Sequence, residues 1–226
     1  MKPVPVVEHQ VKVPFTDPTA CVQLVRGISG FLSELPPGRR IVLVCVGTDR
    51  CTGDSLGPLV GTTLLKYRSP HFDLFGTLER PVHAINLYET LSVIQETVRN
   101  PYVIGIDACL GLASSVGSIE VGEGPVRPGA GVNKELPPVG DMHVTGVVNV
   151  GGFLQHAVLQ NTRLHLVMGM ADLIARSLYR SVTMWQRSQA AEGPAIGGPG
   201  GAPRVVALPA ARRKSLEAGR IQSQPI

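Results

Sequence analysis

With 226 residues, 43% of them hydrophobic, the chain is long enough for one large domain with a sizeable core, and no apolar run approaches the roughly 20 residues of a membrane span. Its formal charge of +4 is concentrated at one end: from Ala190 onward Arg204, Arg212, Arg213, Lys214 and Arg220 face only Glu192 and Glu217, a net +3. The rest is near neutral, without interleaved basic and aromatic residues, so no nucleic-acid partner is expected.

The N-terminus, Met1-Lys2-Pro3-Val4-Pro5, has no basic region followed by an apolar segment, and Cys21, Cys45, Cys51 and Cys109 show no CxxC spacing. Free thiols in a reducing cytoplasm are expected. Residues 1–16 read as an N-terminal extension and 17–189 as a single α/β domain. Residues 190–226, rich in Gly, Pro and Arg, read as a disordered tail, because such a segment buries too little apolar surface to offset its ordering entropy.

Asp17 to Glu34 has helical spacing through Val22, Val25, Ile28 and Leu32, stopped by Pro36-Pro37-Gly38. The run 41–47 is a strand, 48–55 a loop, and Leu56 to Tyr67 a helix with Pro58 in its first turn and Leu56, Val60 and Leu64 on one face. A short strand near 81–85, a helix at 87–99 and a strand at 102–107 complete a β-α-β-α-β order. Right-handed crossovers then give a mostly parallel sheet with helices on both faces, a doubly wound α/β/α sandwich. Beyond it the pattern predicts a strand at 117–121 and a Pro/Gly-rich loop at 122–140, long enough to be functional. Three elements follow: a helix at 143–160, a strand at 163–168, and a last helix at 170–187 packing Leu173, Ile174, Leu178 and Val182.

Two aspartates are placed alike. Asp54 follows the run Ile41 to Gly47, and Asp107 closes the run Tyr102 to Ile106. Buried parallel strands open at their carboxyl ends into the crevice where α/β proteins keep their chemistry, so the two carboxylates are expected to share it. Their repulsion would raise one pKa and leave an acid beside a base, as water-driven hydrolysis requires. Taken singly, Asp54 reads as a helix N-cap and Asp107 as a turn former; the parallel placement carries the functional reading. The loop Gly47 to Pro58 matches neither phosphate-binding fingerprint, and Asp49 and Asp54 would repel a phosphate. His143, expected at a helix start, would complete an Asp, Asp, His set able to hold a divalent ion. His83, His156 and His165 read as core or surface residues. Cys51 and Cys109 flank the expected crevice and offer a thiol alternative, without an evident activating base.

Val46 to Asp49 with Gly53 to Pro58, Ile106 to Leu110, and Pro128 to Lys134 together resemble the YyaC-type spore protease family of endospore-forming bacteria, over about residues 20–188. More distantly the chain resembles the germination protease and the hydrogenase maturation endopeptidases. The resemblance implies a fold of the maturation-protease type, a protein or peptide substrate inside the sporulating cell, and Asp54 and Asp107 as the catalytic pair. It makes His143 the counterpart of a histidine that binds a substrate's metal in the hydrogenase enzymes. No cofactor is implied with certainty, and a divalent metal ion stays open, because the germination protease needs none. The mechanism expected is hydrolysis without a covalent intermediate, with backbone N–H groups at the Leu56 helix start holding the oxyanion. The competing expectation is a non-catalytic module whose crevice binds a peptide segment or a cation.

Overall fold

The computed structural model describes residues 10–129, 136–152, 154–192 and 204–205. Strands are β1 (Val11–Pro14), β2 (Arg40–Cys45), β3 (Phe72–Phe75), β4 (Pro101–Gly111), β5 (Ser118–Glu123), β6 (Met142–Val150) and β7 (Arg204–Val205). Helices are α1 (Ala20–Ser33), α2 (Leu56–Leu65), α3 (Leu87–Thr97), α4 (Gln155–Gln160) and α5 (Leu164–Glu192). They build one seven-stranded sheet in the order β1-β5-β6-β4-β2-β3-β7. From β6 through β7 every pairing is parallel, while β5 runs antiparallel to both β1 and β6.

Side-chain alternation along β2 makes the three layers. Ile41, Leu43 and Cys45 join the core cluster under α1, α2 and α5, while Val42, Val44 and Val46 join the second cluster under α3. A strand buried on both faces must be apolar throughout, as Ile41 to Val46 is. The chain leaves β2 for β3 on one side and returns through α3 to β4 on the other side of β2. The sheet is therefore doubly wound, with its topological switch point between the carboxyl ends of β2 and β4, where α/β sheets open a crevice.

The helices expected at 17–34, 56–67 and 87–99 are present as α1, α2 and α3, with Leu56, Val60, Leu64, Leu87 and Ile94 buried. In α1, Leu24 takes the buried place expected of Val22, which is exposed. The third strand is Phe72–Phe75 rather than 81–85; of the latter, only Val82 touches the sheet, through a bridge to Val46. Asp73 hides that strand in the sequence. Its buried carboxylate is held by the Arg40 guanidinium at 2.9 and 3.0 Å, so the segment is fully buried without being fully apolar.

Two expectations are overturned. Residues 143–150 are strand β6, not a helix: the β-branched run Val144, Thr145, Val147, Val148 suits a pleated central strand between β4 and β5. Only Gln155–Gln160 of that span is helical. Residues 164–192 form one continuous helix, with no strand at 163–168 and no break at Gly169. Gly169 leaves room for the Phe15 ring, since a Cβ there would lie 2.9 Å from it.

The terminal boundaries also shift. Val11–Pro14, read as extension, pairs with β5 at the sheet edge. In the span read as a disordered tail, α5 runs to Glu192 and Arg204–Val205 pairs with β3; the remainder lies outside the described residues. So do residues 130–135 of the long loop, whose stem is closed by the bridge between Val126 and Val139.

Candidate functional site

At the switch point lies a cavity of about 480 Å³, walled by Val46, Gly47, Thr48, Arg50, Cys51, Asp54, His83, Ala84, Ile85, Asp107, Pro128, Gly129, Leu136, His156 and Leu159. Its size and largely apolar lining with a few convergent polar groups suit a ligand or substrate site. Both sequence-predicted aspartates are in its wall.

Asp54 is delivered by a tight turn. After β2 the chain passes Gly47, at φ +140°, where the absence of a side chain lets the Asp54 carbonyl approach: a Cβ there would lie 2.0 Å from it. Thr48 N–H donates to that carbonyl at 3.0 Å, and the single 3-10 turn Gly53–Ser55 leads into α2. The N-cap position of α2 is Ser55, whose hydroxyl donates to the Thr52 carbonyl and makes no capping bond to the helix. The N-cap position of α2 thus falls one residue after Asp54.

Asp107 lies inside β4, not at its end. Val46 N–H donates to Ile106 O at 2.7 Å, so Asp107 sits just past the level where β2 stops, and its side chain turns to the face of the sheet that α3 covers. Asp107 Oδ1 accepts the Ala108 N–H at 2.8 Å. Burial pushes the Asp107 carboxyl well above its ordinary range, and the charge of Asp54 pushes it further, against the smaller opposing effect of the Ala108 N–H. Two carboxylates fifty-three positions apart in sequence are thereby coupled in one cavity, one of them held protonated beyond the usual carboxylate range.

His143 does not join them. It is on β6 opposite Gly105, its Nδ1 3.0 Å from Gly124 O, and its ring lies over Gly122 of β5, away from β4. The missing side chain of Gly122 makes that placement possible. Two other histidines, read as core or surface residues, line the cavity instead: His83 from the loop before α3 and His156 from α4. The signals available were loop composition around Pro81 to Asn86 and the Gly151-Gly152 pair before α4, neither of which singles out a histidine. Leu56, Gly57 and Pro58 are buried, with Gly57 packed on Val46, and none lines the cavity. The helix start at which oxyanion donors were expected is therefore not among the segments that wall the cavity.

Among the described residues no three His, Cys, Asp or Glu side chains come close enough to hold a metal ion. Asp54, Asp107 and His156 share a cavity, but not a coordination sphere, and the expected Asp, Asp, His143 set does not fit a metal.

Of the two thiols considered, Cys51 is in the cavity wall and buried, while Cys109 is two residues beyond Asp107 on the same face of β4. Burial, then the charge of Glu120, pushes the Cys109 thiol up to about 11. At pH 7 almost none of it is thiolate, the reactive form. Iodoacetamide at pH 7 is expected to alkylate Cys109 far more slowly than free cysteine; tryptic mass spectrometry showing equal rates would contradict the buried environment.

Fold and site define an α/β protein whose doubly wound sheet presents two coupled carboxylates at its switch point. Residues 12–177 match the family model described as "Protein of unknown function (DUF1256)", and the chain belongs to that family. It is 51% identical over 166 residues to the uncharacterized protein YyaC of Bacillus subtilis (strain 168), covering 74% of this chain and 80% of the relative. A solved structure, the [NiFe] hydrogenase maturation protease HycI from Thermococcus kodakarensis KOD1, aligns at 15% identity with a TM-score of 0.46, covering 68% of this chain and 99% of that one. Among the described residues no helix is long and apolar enough to cross a membrane.

Proposed function

We propose that the protein is a peptidase in which Asp54 and Asp107 activate water against a peptide bond without a covalent intermediate. The observation that carries this reading is the coupled pair: a buried Asp107 whose carboxyl is raised by burial and by the neighbouring Asp54 charge, at the wall of one open cavity. The raised carboxyl of Asp107 beside the charge of Asp54 assigns the two roles. Asp54, the ionised partner, takes a proton from water as the oxygen attacks the carbonyl carbon. Asp107, the protonated partner, then gives its proton to the leaving amide nitrogen, and the C–N bond breaks to a carboxylic acid and an amine. His143 has no part in this scheme.

The substrate is a protein or peptide, and the sporulation setting, in the cytoplasm of the forespore or spore, follows from the motif resemblance between Val46 and Lys134. The apolar wall formed by Ala84, Ile85, Leu136 and Leu159 suits an extended segment with apolar side chains beside the bond that is cut.

The test is incubation of the purified protein with a peptide mixture from spore-protein extract, followed by mass spectrometry of new termini, with Asp54→Asn as control. New termini with the native protein and none with the variant are expected. Equal retention of peptides by both proteins, without cleavage, would replace the peptidase by a binding module on the same fold.

A further inference from the structure

Amide hydrolysis develops negative charge on the carbonyl oxygen, and a hydrogen-bond donor aimed there is usually a large part of the catalysis. The start of α2 is not in the wall of this cavity: Gly57 packs on Val46 and Leu56 on Gly146 of β6. His83 is differently placed. It follows Val82, whose carbonyl accepts the Gly47 N–H at 2.8 Å, and Gly47 in turn lies against the Asp54 backbone. His83 and Asp54 thus flank the same glycine at the end of β2, and both line the cavity.

The loop holding His83 is stiff. Asn86 Oδ1 accepts the His83 N–H at 2.8 Å, Asn86 Nδ2 donates to Pro81 O at 3.0 Å, and the His83 carbonyl accepts the N–H groups of Asn86 and Leu87 at the start of α3. The ring is fixed as well: its Nδ1 accepts the Ile85 N–H at 3.3 Å. A nitrogen that accepts cannot carry a proton, so the neutral ring bears its proton on Nε2. Nδ1 is turned back on its own loop, which leaves Nε2–H as the ring's remaining donor, with no partner among the described residues, on a residue that lines the cavity.

Resting on the peptidase reading, we infer that His83 is the oxyanion donor of this site, its neutral imidazole giving the Nε2–H hydrogen bond to the carbonyl oxygen as Asp54-activated water adds to the carbon. The proton stays on Nε2 throughout. Water supplies the proton that passes to Asp54, and Asp107 supplies the one that leaves with the amine, so His83 contributes a hydrogen bond and no net proton. Its Ile85 contact has a purpose in this scheme, since it selects the donor tautomer before substrate arrives.

The experiment has two arms. In the first, histidine ring nitrogens are ¹⁵N-labelled in the full chain, and the His83 signals are identified by their loss in His83→Gln. The Nε2–H tautomer is expected at pH 7; an Nδ1–H tautomer or an imidazolium would overturn the inference whatever the enzyme does. In the second, cleavage of the spore-extract peptide mixture is timed. His83→Ala is expected to lower kcat about a hundred- to a thousand-fold with KM little changed, the range seen when one such donor is removed. His83→Gln, which keeps an amide N–H in reach, is expected to recover most of that loss, which a merely structural role would not produce. Undiminished cleavage by His83→Ala would overturn the assignment and leave the peptidase reading intact. Absence of cleavage by the native protein would remove both, with the tautomer still as found.

Discussion

Asp107→Asn is expected to lower peptide cleavage by about a hundred- to ten-thousand-fold, the usual worth of a positioned proton donor, while making the folded protein more stable at neutral pH. The two effects have one cause. Asp107 is buried, with only the Ala108 N–H favouring its charge, and the Asp54 charge acts on it. Its carboxyl is therefore raised well above the ordinary 3.8. Between that value and the raised one, the native protein holds a proton that the unfolded chain has already released. By linkage, this contribution to stability is fully present below about pH 3.8 and is lost as pH rises through the folded pKa. Asparagine does not titrate, and its Oδ1 still accepts the Ala108 N–H. The melting temperature of the variant should therefore gain on that of the native protein as pH rises from 4, then level off once Asp107 has ionised. Comparing the two proteins at each pH cancels the other carboxylates, such as Asp17, whose pKa is lowered by its bonds to Thr19 and whose effect has the opposite sign. Asp54→Asn, by removing the neighbouring charge, should shift the levelling point to lower pH. Melting curves that stay parallel from pH 4 to pH 8 would show that Asp107 is not held protonated and would remove the acid from the mechanism.

What was legible in the sequence follows from where side-chain pattern and tertiary demand agree. The crevice was legible because strands β2 and β4 are buried on both faces and so are written as unbroken apolar runs, with a polar residue appearing only where the sheet opens. That pattern places Asp54 and Asp107 without any knowledge of the loops. The histidine was not legible. His143 stands in a β-branched run that a helical reading had to ignore, and what orients it, the missing side chain of Gly122, is twenty-one residues away in sequence. His83 and His156 reach the cavity through a bridge at Val82 and a six-residue helix with no buried residue, neither of which leaves a periodicity to read. The ion pair of Asp73 hides Phe72–Phe75, and the strand expected at 163–168 is the first turns of α5, where Gly169 makes space for Phe15.

The largest structural effect is expected from two helical glycines that position Asp54. In α2, Gly57 and Gly61 are one turn apart on the face turned to the sheet. A Cβ on Gly57 would come within 2.0 Å of Val46 O, and one on Gly61 within 1.8 Å of Gly76 O. Both obstacles are backbone, at the ends of β2 and β3, and cannot rotate aside. Intrinsic propensity points the other way, because alanine in a helix interior is favoured over glycine by about 1 kcal/mol. The contact decides the sign: overpacking of a well-filled core costs about 1–3 kcal/mol, and here it is imposed on backbone. Gly57→Ala and Gly61→Ala, at the upper end of that range because the obstacle is backbone, are each expected to destabilise by about 1–2 kcal/mol net, a fall of roughly 2–8 °C in Tm for a domain of this size. Gly57→Ala should in addition displace Asp54, three residues before it, and so reduce cleavage more than Gly61→Ala does at equal stability. Thermal melting of both variants, with Gly124→Ala for comparison where φ is +80° and no atom lies within 4 Å, separates crowding from backbone strain. A rise in Tm for either α2 variant would mean that helix propensity outweighs the close approach, and that α2 does not press on the sheet where Asp54 emerges.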